Sequence, residues 1–397
     1  MKYKNIFVML LLSIALFLVG CAQSPQKSNS SNATDESRNE NSNSSLEPVK
    51  IGVVLPLTGP AALYGQQAKE GGELAAKMIN EQGGIVGGRQ IELLFEDDQS
   101  KPENGVNMFN KLINKDKVHV ITGGVNSSVS IAEKDVAKDK LINIITISSA
   151  PEIMENRDPY RFRLNTTNDM RGEVFHAFMK DELKPKTVAV IAENTDYGQV
   201  ELEILKKNWS GEGSPEIVGV EFFELTETDF TNPLTKLKAA NAEALYVVSS
   251  AIEINSAIFK QAYQLGYGDT MKLLAPGNIN TTFIELAGIE AVEGLYSADL
   301  YVPSIENDFN KLFVAAFEKE YNYKPEKIQT LGFEAIWFIA HAMDKAGSID
   351  NYDEISKALE EGTWESPRGM VEFANGQALG KDALLMVKDG QIIPYSK

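Results

Sequence analysis

Residues 50–82 decide the fold, and they read KIGVVLPLTGPAALYGQQAKEGGELAAKMINEQ. The segment opens on a largely aliphatic run, 50–57, which has the length and composition of a buried strand. Residues 65–82 follow with helical spacing, because small and apolar side chains recur every three or four positions. The residues that share this face are Ala68, Gly71, Gly72, Ala75, Met78 and Ile79. Two glycines at 83–84 then end the helix, so the stretch predicts one strand followed by one long helix.

The same alternation of strand and helix continues along the chain. Seven further strands are predicted, at 90–96, 119–123, 142–147, 187–192, 217–223, 244–249 and 272–275. A helix with one apolar face is predicted at 255–265, between the last two of them. Several strands are almost continuously apolar, which is typical of parallel strands covered on both faces. The fold class is therefore α/β, with right-handed strand–helix–strand units in doubly wound sheets.

The alternation is too long for one sheet. It divides around residues 161–167, and residues 166–169, TTND, supply good N-cap side chains for the next helix. The C-terminal third has a different pattern. Its predicted elements are amphipathic helices at 307–321, 329–345 and 352–361, and short strands at 370–373, 383–387 and 391–394.

The composition excludes several classes of protein. The 397 residues include 56 Asp and Glu against 38 Lys and Arg, a formal net charge of −18. This balance argues against a broad nucleic-acid surface and against adsorption to anionic lipid. One cysteine, Cys21, permits neither an intramolecular disulfide nor a Cys-based zinc site. A hydrolase would need a nucleophile beside a base, and none of the three histidines follows a strand, so we predict no enzyme, catalytic residue, cofactor or metal.

The N-terminus carries export signals. Two lysines among the first four residues precede an apolar run, 6–19, which is too short to span a bilayer but suits a signal peptide. The run ends LVGC at 18–21 and resembles the lipobox of bacterial lipoproteins, whose cysteine receives lipid; an ordinary signal peptide with a stray Cys21 is the alternative. The next 27 residues include eight Ser and five Asn and cannot bury a core. We therefore predict a lipoprotein signal peptide at 1–20 and a lipidated, disordered tether at 21–48.

Seven local motifs run along the rest of the chain in order. They are IGVVLPLTGP at 51–60, NEQGGIVGGR at 80–89, FEDD at 95–98, GGVNSS at 123–128, SSAPE at 148–152, DYG at 196–198 and ETDF at 227–230. Together with Tyr64-Gly65 they resemble the Leu/Ile/Val-binding protein family of type I periplasmic binding proteins, the substrate-binding lipoproteins of amino-acid ABC transporters. The ordered set covers residues 49–397.

The resemblance implies two Rossmann-like lobes, each a parallel sheet flanked by helices. A hinge of three crossovers would join them, with the ligand in the cleft between them. The first lobe is expected at 49–165 plus 298–367, and the second at 166–297 plus 368–397. The return of the chain to each lobe would explain the different pattern of the C-terminal third.

Polar residues follow two of the buried strands, where ligands of open α/β sheets bind. Ser127 and Ser128 open the helix after the third strand, where free N–H groups favour an anion, although Ser127 could serve only as an N-cap. The resemblance makes Ser127 the carboxylate-binding serine. It also implies a backbone-carbonyl contact at Ile147 and a backbone and hydroxyl contact at Ser149, with Ser148 between them. A polar loop start is the alternative for this second group.

Two tyrosines are expected to enclose the ligand. The resemblance implies that Tyr64 packs on it from the first lobe and that Tyr197 closes on it from the second. Tyrosine suits this role because it offers rigid contact area and one polar tip. The alternative for Tyr197 is that it is only a partly buried surface residue. A further second-lobe tyrosine of the family has no counterpart here, since its position matches approximately Ala251.

The sequence departs from the family pattern at Gly277. Branched-chain binders of the family receive the ligand ammonium on a second-lobe glutamate at this position, and residues 271–284 contain no acid. The ligand therefore either lacks an α-ammonium, which we favour slightly, or pairs it with another group. The candidates are Asp196, Glu193, Glu253 and the neutral Asn278, although solvated surface is the favoured alternative for each.

These observations predict a lipid-anchored extracytoplasmic solute-binding protein of an ABC importer. It would capture a small carboxylate-bearing solute, with an amino acid or an amino-acid analogue as the expected ligand, and close by hinge motion. The partners would be the small-molecule ligand and a membrane ABC permease, with no nucleic acid, and we expect a monomer at the cell membrane. A ligand-sensing co-receptor of the same fold that signals to a membrane kinase is the alternative, because fold does not determine function.

Overall fold

The computed structural model describes residues 46–268 and 271–395. The predicted signal peptide, Cys21 and nearly all of the predicted tether lie outside these residues. No helix within the described ranges is long and apolar enough to cross a membrane. No group of His, Cys, Asp and Glu side chains in them could hold a metal ion.

The described residues form alternating strands and helices. The strands are β1 Val49–Leu55, β2 Ile91–Asp97, β3 Val120–Gly123, β4 Ile142–Ile145, β5 Arg161–Arg163, β6 Thr187–Glu193, β7 Glu216–Phe223, β8 Ala244–Val248, β9 Lys272–Leu274, β10 Tyr296–Asp299, β11 Thr363–Ser366, β12 Gly369–Ala374, β13 Gln377–Ala378, β14 Ala383–Lys388 and β15 Gln391–Pro394. The helices are α1 Ala62–Glu81, α2 Pro102–Lys111, α3 Ser127–Glu133, α4 Asn168–Phe178, α5 Asp196–Asn208, α6 Thr231–Ala239, α7 Ile252–Gln264, α8 Thr281–Ala287, α9 Ile289–Val292, α10 Asp308–Tyr321, α11 Lys327–Ala346 and α12 Tyr352–Glu360. Helices α2 and α4 each continue into a π-helical turn.

The strands assemble into two sheets. The first has the order β11-β12-β13-β5-β4-β3-β1-β2, and the second β15-β14-β10-β9-β8-β6-β7. Strands β1 to β5 are mutually parallel, as are β6 to β10. The first sheet is extended by β13, which is parallel to β5 and antiparallel to β12, and the second by the antiparallel β14. The fully buried strands β3, β4 and β8 are the almost continuously apolar ones. The predicted α/β fold class with two parallel-sheet lobes is confirmed.

Each strand predicted from the sequence is present, with ends that differ by at most two residues. The four strands that the sequence did not reveal are short: β5, β10, β11 and β13. Strand β5 lies where the alternation was expected to divide, around residues 161–167, and it contains Arg161 and Arg163. Both side chains are buried, where the Arg161 guanidinium lies 3.4 Å from Asp158 and Arg163 donates to the Ala150 carbonyl at 2.7 Å.

Helix α11 differs from its predicted amphipathic character, since three quarters of its residues are buried. Its polar Glu334 is fully buried and receives the guanidinium of Arg368 from the β11–β12 turn. The Arg368 Nε lies 2.9 and 3.0 Å from the two Glu334 oxygens, and its Nη2 also donates to the Leu164 carbonyl. A charge pair thus joins α11 to the point where the chain leaves the first sheet.

The chain passes between the two sheets three times within the described residues, after β5, after β10 and after β13. The sequence placed the third passage at 367–368. Strands β12 and β13 nevertheless pair in the first sheet, because β13 continues the β12 hairpin and pairs with β5 through Gln377 and Arg163. We propose lobes that follow the sheets, with the third crossover between Ala378 and Ala383.

Candidate ligand-binding site

A narrow cavity lies where the carboxyl ends of the parallel strands of both sheets converge. Parallel strands place their following loops at one edge of a sheet, which is the usual position for a ligand. Six lining residues belong to the first-sheet side: Tyr64, Val125, Ser127, Ile147, Ser149 and Asn165. Four belong to the second-sheet side: Arg171, Tyr197, Ser250 and Asn278.

Ser127 lies at this cavity as the first residue of α3. Asn126 occupies the N-cap position and makes no side-chain cap, so the alternative role of Ser127 as the N-cap is wrong. The Ser127 Oγ accepts a hydrogen bond from the Ala150 backbone N–H at 3.3 Å. Its hydroxyl hydrogen is therefore free to be donated to an acceptor in the cavity, since a hydroxyl both accepts and donates.

The loop after β4 contributes a second set of polar groups. Ser149 is buried, and its hydroxyl has no hydrogen-bond partner in the described ranges, so it can bind a ligand atom. The Ile147 carbonyl accepts from the Asn165 side-chain amide at 2.5 Å. The Asn165 Oδ1 is buried without a partner among the described residues. The first-sheet side of the cavity thus offers both hydroxyl donors, from Ser127 and Ser149, and oxygen acceptors, from Ile147 and Asn165.

Three residues predicted to bind the ligand lie outside the cavity lining. Ser128 lines a neighbouring pocket that shares Ser127 with the cavity. The Ser148 hydroxyl pairs with the Ser130 hydroxyl at 2.8 Å. Gly277 adopts a φ of +81° and does not line the cavity, although a Cβ added there would contact the Arg171 guanidinium.

Tyr64 and Tyr197 meet across the cavity at Asn278. The Tyr64 hydroxyl donates to the Asn278 carbonyl at 3.1 Å, and the Tyr197 hydroxyl accepts from the Asn278 side-chain amide at 3.2 Å. Burial raises the pKa of both tyrosines above the ordinary value, so both rings stay neutral. Since Tyr64 comes from α1 and Asn278 follows β9, the Tyr64 bond connects the two sides, whereas the Tyr197 bond lies within the second side.

Further hydrogen bonds connect the two sides. The Asn126 amide donates to the Ser250 hydroxyl at 3.1 Å, and the Asn280 amide lies 3.3 Å from the Gln67 side-chain oxygen. Each pair joins an element of the first sheet to one of the second. The described conformation is therefore closed around the cavity.

Arg171 was not identified from the sequence. It lies in the first turn of α4 and is 2% exposed, and its Nη1 donates to the Pro276 carbonyl at 2.9 Å. Burial by itself lowers the pKa of Arg171, but Tyr197, Asp382 and Asp299 outweigh burial, so the guanidinium is charged. The available signal was a cation in the first turn of a helix, where the helix dipole disfavours positive charge.

The acids considered as partners of a ligand ammonium do not line the cavity. Asp196 and Glu253 are exposed. Glu193 is buried behind Ser250, from whose backbone N–H and hydroxyl it accepts hydrogen bonds. Asn278 does line the cavity, but its side-chain oxygen lies 3.4 Å from the Lys327 ammonium. Arg171 is thus the charged side chain of the lining.

Comparisons with known proteins agree with this fold. A family model described as periplasmic binding protein matches residues 48–391. The leucine-, isoleucine-, valine-, threonine- and alanine-binding protein of Pseudomonas aeruginosa is 30% identical over 329 residues, which are 82% of this chain and 86% of the relative.

Solved structures are also similar. A leucine-binding protein from Thermotoga maritima matches with a TM-score of 0.80 and 26% identity, covering 88% of this chain and 98% of its own. A solute-binding protein of an ABC transporter from Rhodopseudomonas palustris, in complex with 3,4-dihydroxybenzoic acid, matches with a TM-score of 0.79 and 25% identity over 88% and 96%. The chain belongs to the periplasmic binding protein family, among the Leu/Ile/Val-binding proteins, and is a solute-binding protein rather than an enzyme.

Proposed function

We propose that the protein is the lipid-anchored, extracytoplasmic solute-binding component of an ABC importer, and that it holds a small carboxylate-bearing solute in the cavity. The observation that carries this proposal is the meeting of Ser127 and Ser149 in one closed cavity. Each offers a buried hydroxyl with a free hydrogen, and hydroxyl donors to a carboxylate form charge-assisted hydrogen bonds. The relatives support the class, since the Pseudomonas protein is named for amino acids and the Rhodopseudomonas protein holds an aromatic acid.

Capture would proceed by closure of one lobe on the other. The hydrogen bond of Tyr64 to Asn278 and that of Asn126 to Ser250 form only when the two sides meet. A ligand that contacts both sides adds differential binding energy to the closed state and shifts the equilibrium towards it. The closed form would then deliver the solute to a membrane permease.

Ser127→Ala is expected to weaken binding of the cognate carboxylate about tenfold or more. The substitution removes one charge-assisted hydrogen bond, worth about 1.5–3 kcal/mol, from the ligand complex. A screen of carboxylates and amino acids by thermal shift identifies the ligand, and calorimetry on wild type and variant measures the change. At a concentration of about 100 times its dissociation constant, the ligand should stabilise the wild type by about 2.7 kcal/mol.

Ser128→Ala is the matched control, because Ser128 neighbours Ser127 but does not line the cavity. The Ser128→Ala variant should bind the cognate ligand with the affinity of the wild type. Without ligand, the wild type and both variants should unfold at similar temperatures. Equal affinities of wild type and Ser127→Ala for the cognate ligand would remove Ser127 from the site and contradict the proposed binding mode.

Cys21→Ala is expected to release the protein from the membrane fraction. The cysteine closes the LVGC motif, and acyl chains on its sulfur would anchor the protein more firmly than its acidic surface could. Fractionation after a high-salt wash, followed by immunoblotting, measures the distribution, with Ser24→Ala as the control that should stay with the membrane. If Cys21→Ala still sediments with membranes, lipid on Cys21 is not the anchor.

A further inference from the structure

A guanidinium lies beside the position at which the family resemblance implies an ammonium-binding carboxylate. A Cβ added at Gly277 would lie 3.3 Å from the Nε and 3.4 Å from the Cζ of Arg171, and 3.3 Å from the Ala298 carbonyl oxygen. The Arg171 guanidinium is therefore next to the point where a side chain at 277 would begin. The charge at this point of the cavity is positive, whereas an ammonium requires a negative partner.

Arg171 has donors that the protein does not use. A guanidinium carries five N–H donors. One hydrogen bond of ordinary geometry is described, from Nη1 to Pro276 O, and the Tyr197 hydroxyl interacts with the guanidinium as well. The Nε lies 3.5 Å from the Asp382 Oδ2 and is a buried nitrogen without a hydrogen bond within the described ranges. A charged, buried group with spare donors at a cavity is arranged to bind an acceptor there.

The surrounding acids orient Arg171 without filling the cavity. The Thr166 hydroxyl lies 3.0 and 3.1 Å from the two carboxylate oxygens of Asp382, to which it donates. Asp299 pairs instead with the Lys327 ammonium at 2.9 Å. Neither acid lines the cavity. A ligand ammonium would therefore meet a fixed cation and no carboxylate, and like charges in a site of low dielectric repel strongly.

We propose that Arg171 is the specificity-determining residue of this site, that it binds a second, electron-rich oxygen group of the ligand, and that it excludes α-amino acids. The ligand class is an ammonium-free carboxylate with a further carboxylate or hydroxyl oxygen directed towards the second lobe. This inference rests on the proposed function, which supplies the first carboxylate contact at Ser127. The unpartnered Asn165 Oδ1 fits the same class, because it can accept from a ligand hydroxyl.

Two matched ligand sets test the assignment by competition calorimetry. The first comprises pentanoate, 2-aminopentanoate and pentanedioate. The second comprises 3-phenylpropanoate, phenylalanine and 3-(4-hydroxyphenyl)propanoate. In each set the second compound adds an α-ammonium to the first, and the third adds an oxygen group at the far end. The wild type should bind the third compound best and the amino acid worst in at least one set.

Arg171→Gln should weaken binding of the preferred oxygenated compound about tenfold to a hundredfold, the range expected for lost hydrogen bonds to a charged group. It should change the affinity for the plain carboxylate only a few-fold. It should also reduce the difference in affinity between the preferred compound and the amino acid of the same set. Arg171→Lys keeps the positive charge but loses the planar guanidinium with its paired donors. It should therefore retain part of the preference for the oxygenated compound over the plain carboxylate. If the glutamine variant fails to fold, the lysine variant provides the comparison.

The outcomes separate this inference from the proposed function. Tight binding of an amino acid by the wild type, lost in Ser127→Ala, would support the proposed function and overturn the role of Arg171. An equal loss for all three compounds in folded Arg171→Gln would show a structural role and also overturn it. If neither set contains a compound that stabilises the wild type at millimolar concentration, carboxylate binding is contradicted and the inference fails with it.

Discussion

Gly123→Ala is expected to destabilise the protein by about 3 kcal/mol or more and to abolish tight ligand binding. Gly123 ends β3 with a φ of +134°, a conformation that costs a residue with a Cβ about 1–3 kcal/mol. The added Cβ would also stand 1.9 Å from the Val54 carbonyl oxygen, so the backbone of β1 or β3 must move, at a further cost of about 1–3 kcal/mol. The movement would displace Val125 and Ser127 from the cavity. Urea denaturation and calorimetry measure the two effects.

Gly294→Ala is the matched control for this variant. Gly294 also has a positive φ, +78°, but a Cβ there meets no atom within 4 Å. Only the conformational strain remains, about 1–2 kcal/mol, and the cavity should be undisturbed. Similar losses of stability in the two variants would show that the close approach of β3 to Val54 does not constrain position 123.

Glu334→Ala is expected to destabilise the protein by about 3–5 kcal/mol. Arg368 would keep its charge in a buried position without its carboxylate, and breaking one half of a buried pair typically costs this much. The double variant Glu334→Leu/Arg368→Leu should recover part of the loss, because it removes both charges together. Chemical denaturation of the three proteins at one pH measures the differences.

The control for this pair is Glu306→Ala. Its partner Lys311 and the Glu306 side chain are both largely exposed, and solvent screens such pairs. The control should unfold like the wild type. A small effect of Glu334→Ala, comparable with that of Glu306→Ala, would show that water reaches Arg368 and that the pair contributes little.

Local sequence patterns were sufficient for most of the fold. Strands such as β4 and β8 are continuous apolar runs, and Thr167 provides the predicted N-cap of α4, since its side chain accepts from the Met170 N–H. These signals are local because a strand covered on both faces needs apolar residues at successive positions. Strands β5 and β13 gave no such signal. One contains two arginines that are buried by distant partners, and the other is two residues long.

The candidate site was predicted less completely. Ser127, Ser149 and Ile147 follow buried strands in recognisable motifs, and the structure places all three at one cavity. Asn165 and Arg171 were missed because each lies at a boundary between elements, where sequence pattern says only that a helix begins. Their roles depend on what lies across the cavity from them.

The sequence by itself determined the α/β fold class, the order of the elements and the family, because these follow from periodicity and from motifs within short stretches. It also exposed the missing acid at Gly277. Only the tertiary structure showed which charged side chain lies beside that position. Arg171 precedes Gly277 by 106 positions, and the packing of α4 against the β9–α8 loop brings its guanidinium next to Gly277. The charge of a cavity is a sum over side chains from many elements, so it depends on three-dimensional proximity and not on any one motif.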